Sequence, residues 1–221
     1  MLLAEDLLLL LTDGRSGKLV VNKAHVDVAL GGAQLIDLSL AGLADVDDRK
    51  RLVVLDGPPI GDPLLAGALS IVGSHAGKKP RSAIKELSQG LRPRLYDRLA
   101  NAGILRAEHD KILGLFPTTS WPTVSGDHEA VVRRALVGQL VQGLTPDSRT
   151  AALVALLHAV RSTHKVLPPA EHGLTRRELD RRAKQLAEGS WGSQAVRQTI
   201  DAMTAAVAAS VAASAAAASG G

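Results

Sequence analysis

The chain has 221 residues, 46% of them hydrophobic and 22% charged, enough apolar material for a sizeable core and a balance that excludes global disorder. One Tyr, one Phe and two Trp leave Leu, Val, Ile and Ala to build that core, and this composition favours helix over sheet. A net charge of +4 and a pI near 9.6 admit an anionic partner, while the absence of Cys excludes a disulfide framework or thiolate metal site and suits a reducing cytoplasm.

Glu5 and Asp6 stand where a secretory signal would carry cations, and Leu7–Leu11 is too short for its apolar core. Leu2–Leu11 reads as a short buried helix stopped by Thr12-Asp13-Gly14, and Lys18–Val21 as a brief extended piece. The apolar spacing of Val26, Ala29, Leu30, Ala33, Ile36 and Leu40 predicts a helix over Ala24–Ala41, closed by Gly42. Gly31-Gly32 in its middle costs about 1 kcal/mol per residue relative to Ala, which predicts a close helix–helix contact or an interruption. Leu43–Val46 and Leu52–Leu55 flank the polar turn Asp47–Lys50 and predict a small hairpin. Asp62 is placed to cap a helix that has Pro63 at its first position.

Gly73–Pro80 is a basic linker, and the stretch it opens is the most cationic of the chain: Lys78, Lys79, Arg81, Lys85, Arg92, Arg94 and Arg98, opposed only by Glu86 and Asp97. A helix is expected over Ser82–Ser88, a break at Gln89-Gly90, and a second helix from Pro93 to Gly103. Two short apolar runs follow, Ile104–Arg106 and Ile112–Phe116, read as a hairpin turning at Glu108–Lys111, and then a loop over Pro117–Gly126. Glu129–Gln142 and the segment after Thr145-Pro146-Asp147 are expected helices, Thr175–Glu178 is a capping box, and a last helix starts near Ser193. It fades into an uncharged Ala/Ser tail that is too weakly apolar to read as a transmembrane span. The domain reading is one mainly α-helical unit over 1–205, with a tail over 206–221.

No Gly-rich phosphate loop, nucleophile elbow or helical His pair is present, so no catalytic residue, cofactor or metal ligand is assigned. The positive signal is an anion-binding surface: Arg offers a planar fork suited to phosphate and Lys a mobile point charge. A solvated helix face is the plain alternative. Two binding classes fit a basic helix pair followed by a hairpin. One is a winged helix-turn-helix with Arg92, Arg94 and Arg98 toward DNA. The other is a peripheral membrane protein whose cations meet anionic headgroups. A DNA-binding wing would normally be a small module, whereas this stretch is embedded between helices, so nucleic acid is the less favoured partner.

An ordered series of motifs resembles the Golgi phosphoprotein 3 family in its bacterial branch. The series runs LLAEDLLLLLTD, GGAQLIDLSLAG, LADVDDRKRLVVL, PPIGDPLL, RLYDRLANAGIL, KILGLFPTTSWP and TPDSRTAALVALLHA, from residue 2 to about 205. The resemblance implies a helical domain around a central bundle, with the last motif as its buried central helix, and a protruding hairpin near the membrane face that takes part in oligomer contacts. It places Ile112, Leu113, Leu115 and Phe116 at that membrane or oligomer contact. In eukaryotic relatives it implies phosphatidylinositol 4-phosphate binding at a basic pocket and an adaptor role toward glycosyltransferase tails. Of the pocket positions this chain keeps only Arg92. Gln89 stands for the other arginine of the RxxR, Val21 for the pocket Trp and Leu30 for the arginine before the Gly-Gly pair, with Arg94, Lys85, Arg81 and Lys78–Lys79 as nearby substitutes. Losing two guanidiniums removes most bidentate phosphate recognition. The expected partners are therefore an anionic phospholipid or phosphoinositide headgroup, protein clients and a second copy through the hairpin, and the expected location is cytoplasmic and peripheral to a membrane.

Overall fold

The computed structural model describes residues 1–112, 116–189 and 194–219. Ten α-helices and two small antiparallel two-stranded sheets make up these residues, so the chain forms the mainly helical class its composition favours. At its centre lies α2 (Lys23–Leu40), buried without a break from residue 29 to 38. A helix apolar on every side belongs inside a fold. Around it pack α1 (Leu3–Leu10), α3 (Pro63–Ser74), α4 (Arg81–Leu87), α5 (Leu91–Asn101), α7 (Ser148–Ala159) and α10 (Gln194–Ser219). Helix α7 is the second interior element, buried throughout 150–157, and α6 (Asp127–Leu140) and α9 (Arg176–Ala187) cover it. Helix α8 (Thr163–Val166) and a 3-10 turn at Pro169–His172 occupy the stretch before Thr175.

Helix α2 passes through Gly31 and Gly32 uninterrupted, and of the two expectations for that pair the close contact is the one realised. A Cβ on Gly31 would lie 2.8 Å from the Ile84 carbonyl oxygen in α4, and one on Gly32 would lie 2.2 Å from Val207 Cγ2 in α10. Missing side chains therefore set how near both neighbours come. Helix α10 continues past residue 205, and Ala206 and Val207 are buried there. Length and hydropathy alone would let Gln198–Ala216 cross a membrane. The same segment gives Ile200, Met203 and Val207 to the protein core, a placement incompatible with simultaneous exposure to lipid.

The caps are local and fall where the sequence puts them. Asp62 accepts from the amides of Leu64 and Leu65 at 2.8 and 3.3 Å, and Asp147 accepts from Thr150 at 2.9 Å. Thr175 and Glu178 exchange both capping-box bonds, at 2.8 and 3.2 Å. Helix α1 is capped from a distance: the Leu3 and Ala4 amides donate to the Asp37 carboxylate at 2.7 and 3.2 Å. Burial outweighs those bonds and pushes the Asp37 carboxyl up to about 6.

Helix α5 begins at Leu91, two residues ahead of the expected start, because a first-turn Pro gives up only an amide that has no helical acceptor. The second hairpin is a correction. Strands β3 (Glu108–Ile112) and β4 (Phe116–Ser120) pair from Glu108↔Ser120 to Ile112↔Phe116, following β1 (Ala44–Val46) and β2 (Leu52–Val54). The expected turn Glu108–Lys111 is thus a strand, and Pro117–Ser120 of the expected loop is its partner. Thr118 and Thr119 suit an extended backbone, and a two-stranded ribbon tolerates Pro117. The run Ile104–Arg106 forms the hairpin's base instead: Arg106 donates its amide to Pro122 at 3.0 Å, and Val124 donates to Ile104 at 2.8 Å. That base is locked to the segment after α1. Gly17, at φ +63°, accepts from the Trp121 amide at 2.9 Å, and a Cβ on it would lie 2.1 Å from that nitrogen. Trp121 in turn stacks on Tyr96 of α5, with ring centroids 4.8 Å apart and planes within 1°.

Candidate functional site

Helix α4 is short and takes its place from what it buries. Ala83, Ile84 and Leu87 face inward, with Ile84 meeting α2 at Gly31, which leaves Arg81 and Lys85 one turn apart on the outside, both exposed. Glu86 is held by His75, whose Nε2 lies 3.1 Å away while its Nδ1 lies 3.0 Å from Ser82 Oγ. Lys78 and Lys79 precede the helix, also exposed, and among the described residues none of Lys78, Lys79, Arg81 and Lys85 forms an ion pair.

The arginines of α5 behave differently. Arg92 Nε donates to Asp27 Oδ1 of α2 at 2.8 Å, and its side chain is only 17% exposed. Arg98 bridges Glu5 at 2.9 Å and Asp62, the latter through two bonds at 2.9 and 3.1 Å. Burial opposes ionisation of Asp62, yet the Arg98 guanidinium and the Leu64 and Leu65 amides hold its carboxyl below the ordinary range. Only Arg94 of the three is exposed and free of an ion pair among the described residues.

The four positions carried over from the family pocket differ in exposure here. Leu30 is fully buried in the core, Val21 is half-buried against it, Gln89 is exposed before Gly90, and Arg92 leans on Asp27, one turn ahead of Leu30 on α2. The structure therefore brings Arg92 to the helix that carries Leu30, with its guanidinium engaged by an acid of that helix. Of the hairpin residues, Ile112 and Phe116 are the register pair that closes β3 and β4, and Leu113 and Leu115 lie outside the described residues.

A second group of cations joins the first through the fold. The Asp47 carboxylate accepts from the Arg49 and Arg51 amides at 2.9 and 2.8 Å, which holds the β1–β2 turn and presents Arg49 and Lys50 outward. The linker is sewn to the same hairpin: Leu52 donates its amide to Lys78, and Gly77 donates to Leu52, each at 2.8 Å. Lys79 and Arg81 thus arrive beside Arg49 and Lys50 around a recess of about 270 Å³ that no acidic side chain lines. Its wall is the face of α10 made by Ala202, Ala205, Ala206 and Ala209. Arg49 and Lys50 read from sequence as an ordinary polar turn. The local signal was the clustering of charge, but nothing local says that the turn meets residues 79–81.

Elsewhere, Asp6 is 2% exposed and bonds His128 Nε2 at 2.7 Å and Arg149 at 2.6 Å, beside a hollow of about 250 Å³. A His–Asp contact at a hollow resembles acid–base machinery. Here the carboxylate is shared with a guanidinium that also holds the Met1 carbonyl at 2.9 Å, so the cluster ties α6 and α7 to the start of the chain. Among the described residues no three His, Asp or Glu side chains come together as a metal site would need.

The sequence pattern of the family described as Golgi phosphoprotein 3 (GPP34) matches residues 3–203, nearly the whole chain. No curated protein matches the chain.

Proposed function

The chain belongs to the Golgi phosphoprotein 3 family, and from that premise we propose a non-enzymatic peripheral membrane protein that binds anionic or phosphorylated lipid through its 78–94 cations. The observation that carries this reading is the row Lys78, Lys79, Arg81 and Lys85, exposed and without ion pairs among the described residues. At about 1 kcal/mol per cation near an anionic surface, four contribute about 4 kcal/mol, roughly a thousand-fold in partitioning. The winged-helix reading finds less support, because two of the three arginines it would turn toward DNA, Arg92 and Arg98, are engaged by carboxylates.

Co-sedimentation with vesicles of graded phosphatidylserine content tests the reading. Lys85→Ala combined with Arg94→Ala should weaken binding roughly thirty-fold, on the same arithmetic. Unchanged binding would remove this face from consideration, and duplex DNA binding with a steep salt slope would favour the alternative.

A further inference from the structure

We propose that the recess between the β1–β2 turn, residues 79–81 and the alanine face of α10 is a receptor site for a phosphomonoester headgroup, distinct from the pocket positions inherited at Val21, Leu30, Gln89 and Arg92. It rests on the membrane reading for the source of its ligand, but not for its chemistry.

Three observations converge. First, Arg49, Lys50, Lys79 and Arg81 surround one hollow, and among the described residues none of them is neutralised by an ion pair. Four like charges around one hollow repel one another, and an anion held between them would relieve that repulsion. Second, the cations come from two segments about thirty residues apart, and backbone bonds between Leu52, Gly77 and Lys78 fix them to each other. Third, the wall is made of alanine at i, i+3, i+4 and i+7 of one helix, so no side chain fills the space between the charges.

The size and charge select the ligand class. A volume of about 270 Å³ suits a headgroup and is too small for acyl chains as well. A phosphomonoester brings a charge of about −1.5 to −2 and three acceptor oxygens, the anion whose charge best matches a lining of two guanidinium and two ammonium side chains. A carboxylate or phosphodiester brings a single charge and leaves part of the set unmatched. The chemistry is common to a lipid such as phosphatidic acid and to a free sugar or glycerol phosphate.

The test keeps the full chain. Phosphatidylcholine vesicles carry either phosphatidic acid or phosphatidylserine at matched total negative charge, in physiological salt. Wild-type protein should prefer phosphatidic acid by about tenfold or more, the worth of one charge-assisted contact. Ala205→Leu with Ala209→Leu occupies the recess, keeps every charge, and uses exposed positions and a good helix former. It should lower phosphatidic acid binding to the phosphatidylserine level, as should Arg49→Gln with Arg81→Gln, while both variants keep the wild-type melting temperature. Filled protein that still prefers phosphatidic acid overturns the proposal, and so does a wild type that binds the two vesicles equally and does not bind glycerol 3-phosphate. Loss on Lys85→Ala/Arg94→Ala without loss on the recess variants sinks the recess and leaves the membrane reading standing. The reverse pattern sinks the general face and keeps the recess. Titration with glycerol 3-phosphate separates the sources: a free ligand should bind wild type and not the filled variant, whereas a lipid ligand should show no binding at millimolar glycerol 3-phosphate. A protein that binds neither vesicle nor glycerol phosphate refutes the site.

Discussion

Replacing Gly32 by Ala should destabilise the protein, although Ala is the better helix former by about 1 kcal/mol. The new methyl would sit 2.2 Å from Val207 Cγ2, against an ordinary contact of about 3.5–4.0 Å, so one of the two must move by more than an ångström. Val207 has no room to yield. It is fully buried, and a β-branched side chain in a helix holds one χ1 rotamer. Overpacking of this kind costs about 1–3 kcal/mol, and a contact this short falls toward the upper end, so the net loss is up to about 2 kcal/mol after the propensity gain, or up to about 8 °C in melting temperature for a chain of this size. Val207→Ala removes the obstacle. Alone it should cost about 2 kcal/mol from lost burial, but combined with Gly32→Ala it opens the space the new methyl needs. Urea denaturation of the four proteins closes the cycle, and the double variant should be at least 1 kcal/mol more stable than the sum of the single losses predicts. Additive losses, or a Gly32→Ala protein as stable as wild type, would mean that the glycine does not set the α2–α10 distance.

Other consequences follow from the buried acids and the paired arginines. Asp37 has a carboxyl raised to about 6 in the folded protein from 3.8, so folded protein holds its proton more tightly than the unfolded chain does. The contribution is full below about pH 4 and is lost as pH rises through 6, on the order of 3 kcal/mol in all, and Asp37→Asn should flatten that limb of a urea-midpoint profile. Because the Asp6 carboxylate adds to the upward push on Asp37, Asp6→Asn should move the Asp37 midpoint to lower pH, read directly by carboxyl NMR. Arg92→Ala should change vesicle binding less than Arg94→Ala, since Asp27 already occupies its guanidinium, and Asp27→Ala should strengthen binding to anionic vesicles by freeing it. Equal losses from the two arginine variants would contradict the pairing.

How far these features can be read from the sequence depends on the span of the interaction. The caps at Asp62, Asp147 and Thr175 were legible because each is settled within four residues. The glycine pair announced a close approach, but not that α4 would meet one residue and α10 the other. Hairpin register was not legible: the apolar runs 104–106 and 112–116 read as the strands and 108–111 as the turn, whereas cross-strand partners at 116–120 make 108–112 the strand. The site was read least well. Seven cations in a row look alike, yet Arg92 and Arg98 are taken by acids 65 and 93 residues away, while Arg49 and Lys50 are delivered to Lys79 and Arg81 by backbone bonds that no local pattern encodes.

The stack of Tyr96 on Trp121 gives the protein an optical gauge. Tyr96 is the sole tyrosine, so energy absorbed there and re-emitted by an indole reports how near α5 lies to the base of the β3–β4 hairpin. With Trp191→Phe leaving Trp121 as the one emitter, transfer should be close to complete at a 4.8 Å separation and should fall if the hairpin swings away from α5. Adding vesicles to that variant would register in real time whether the hairpin stays seated while the cationic edge meets lipid, with no attached dye.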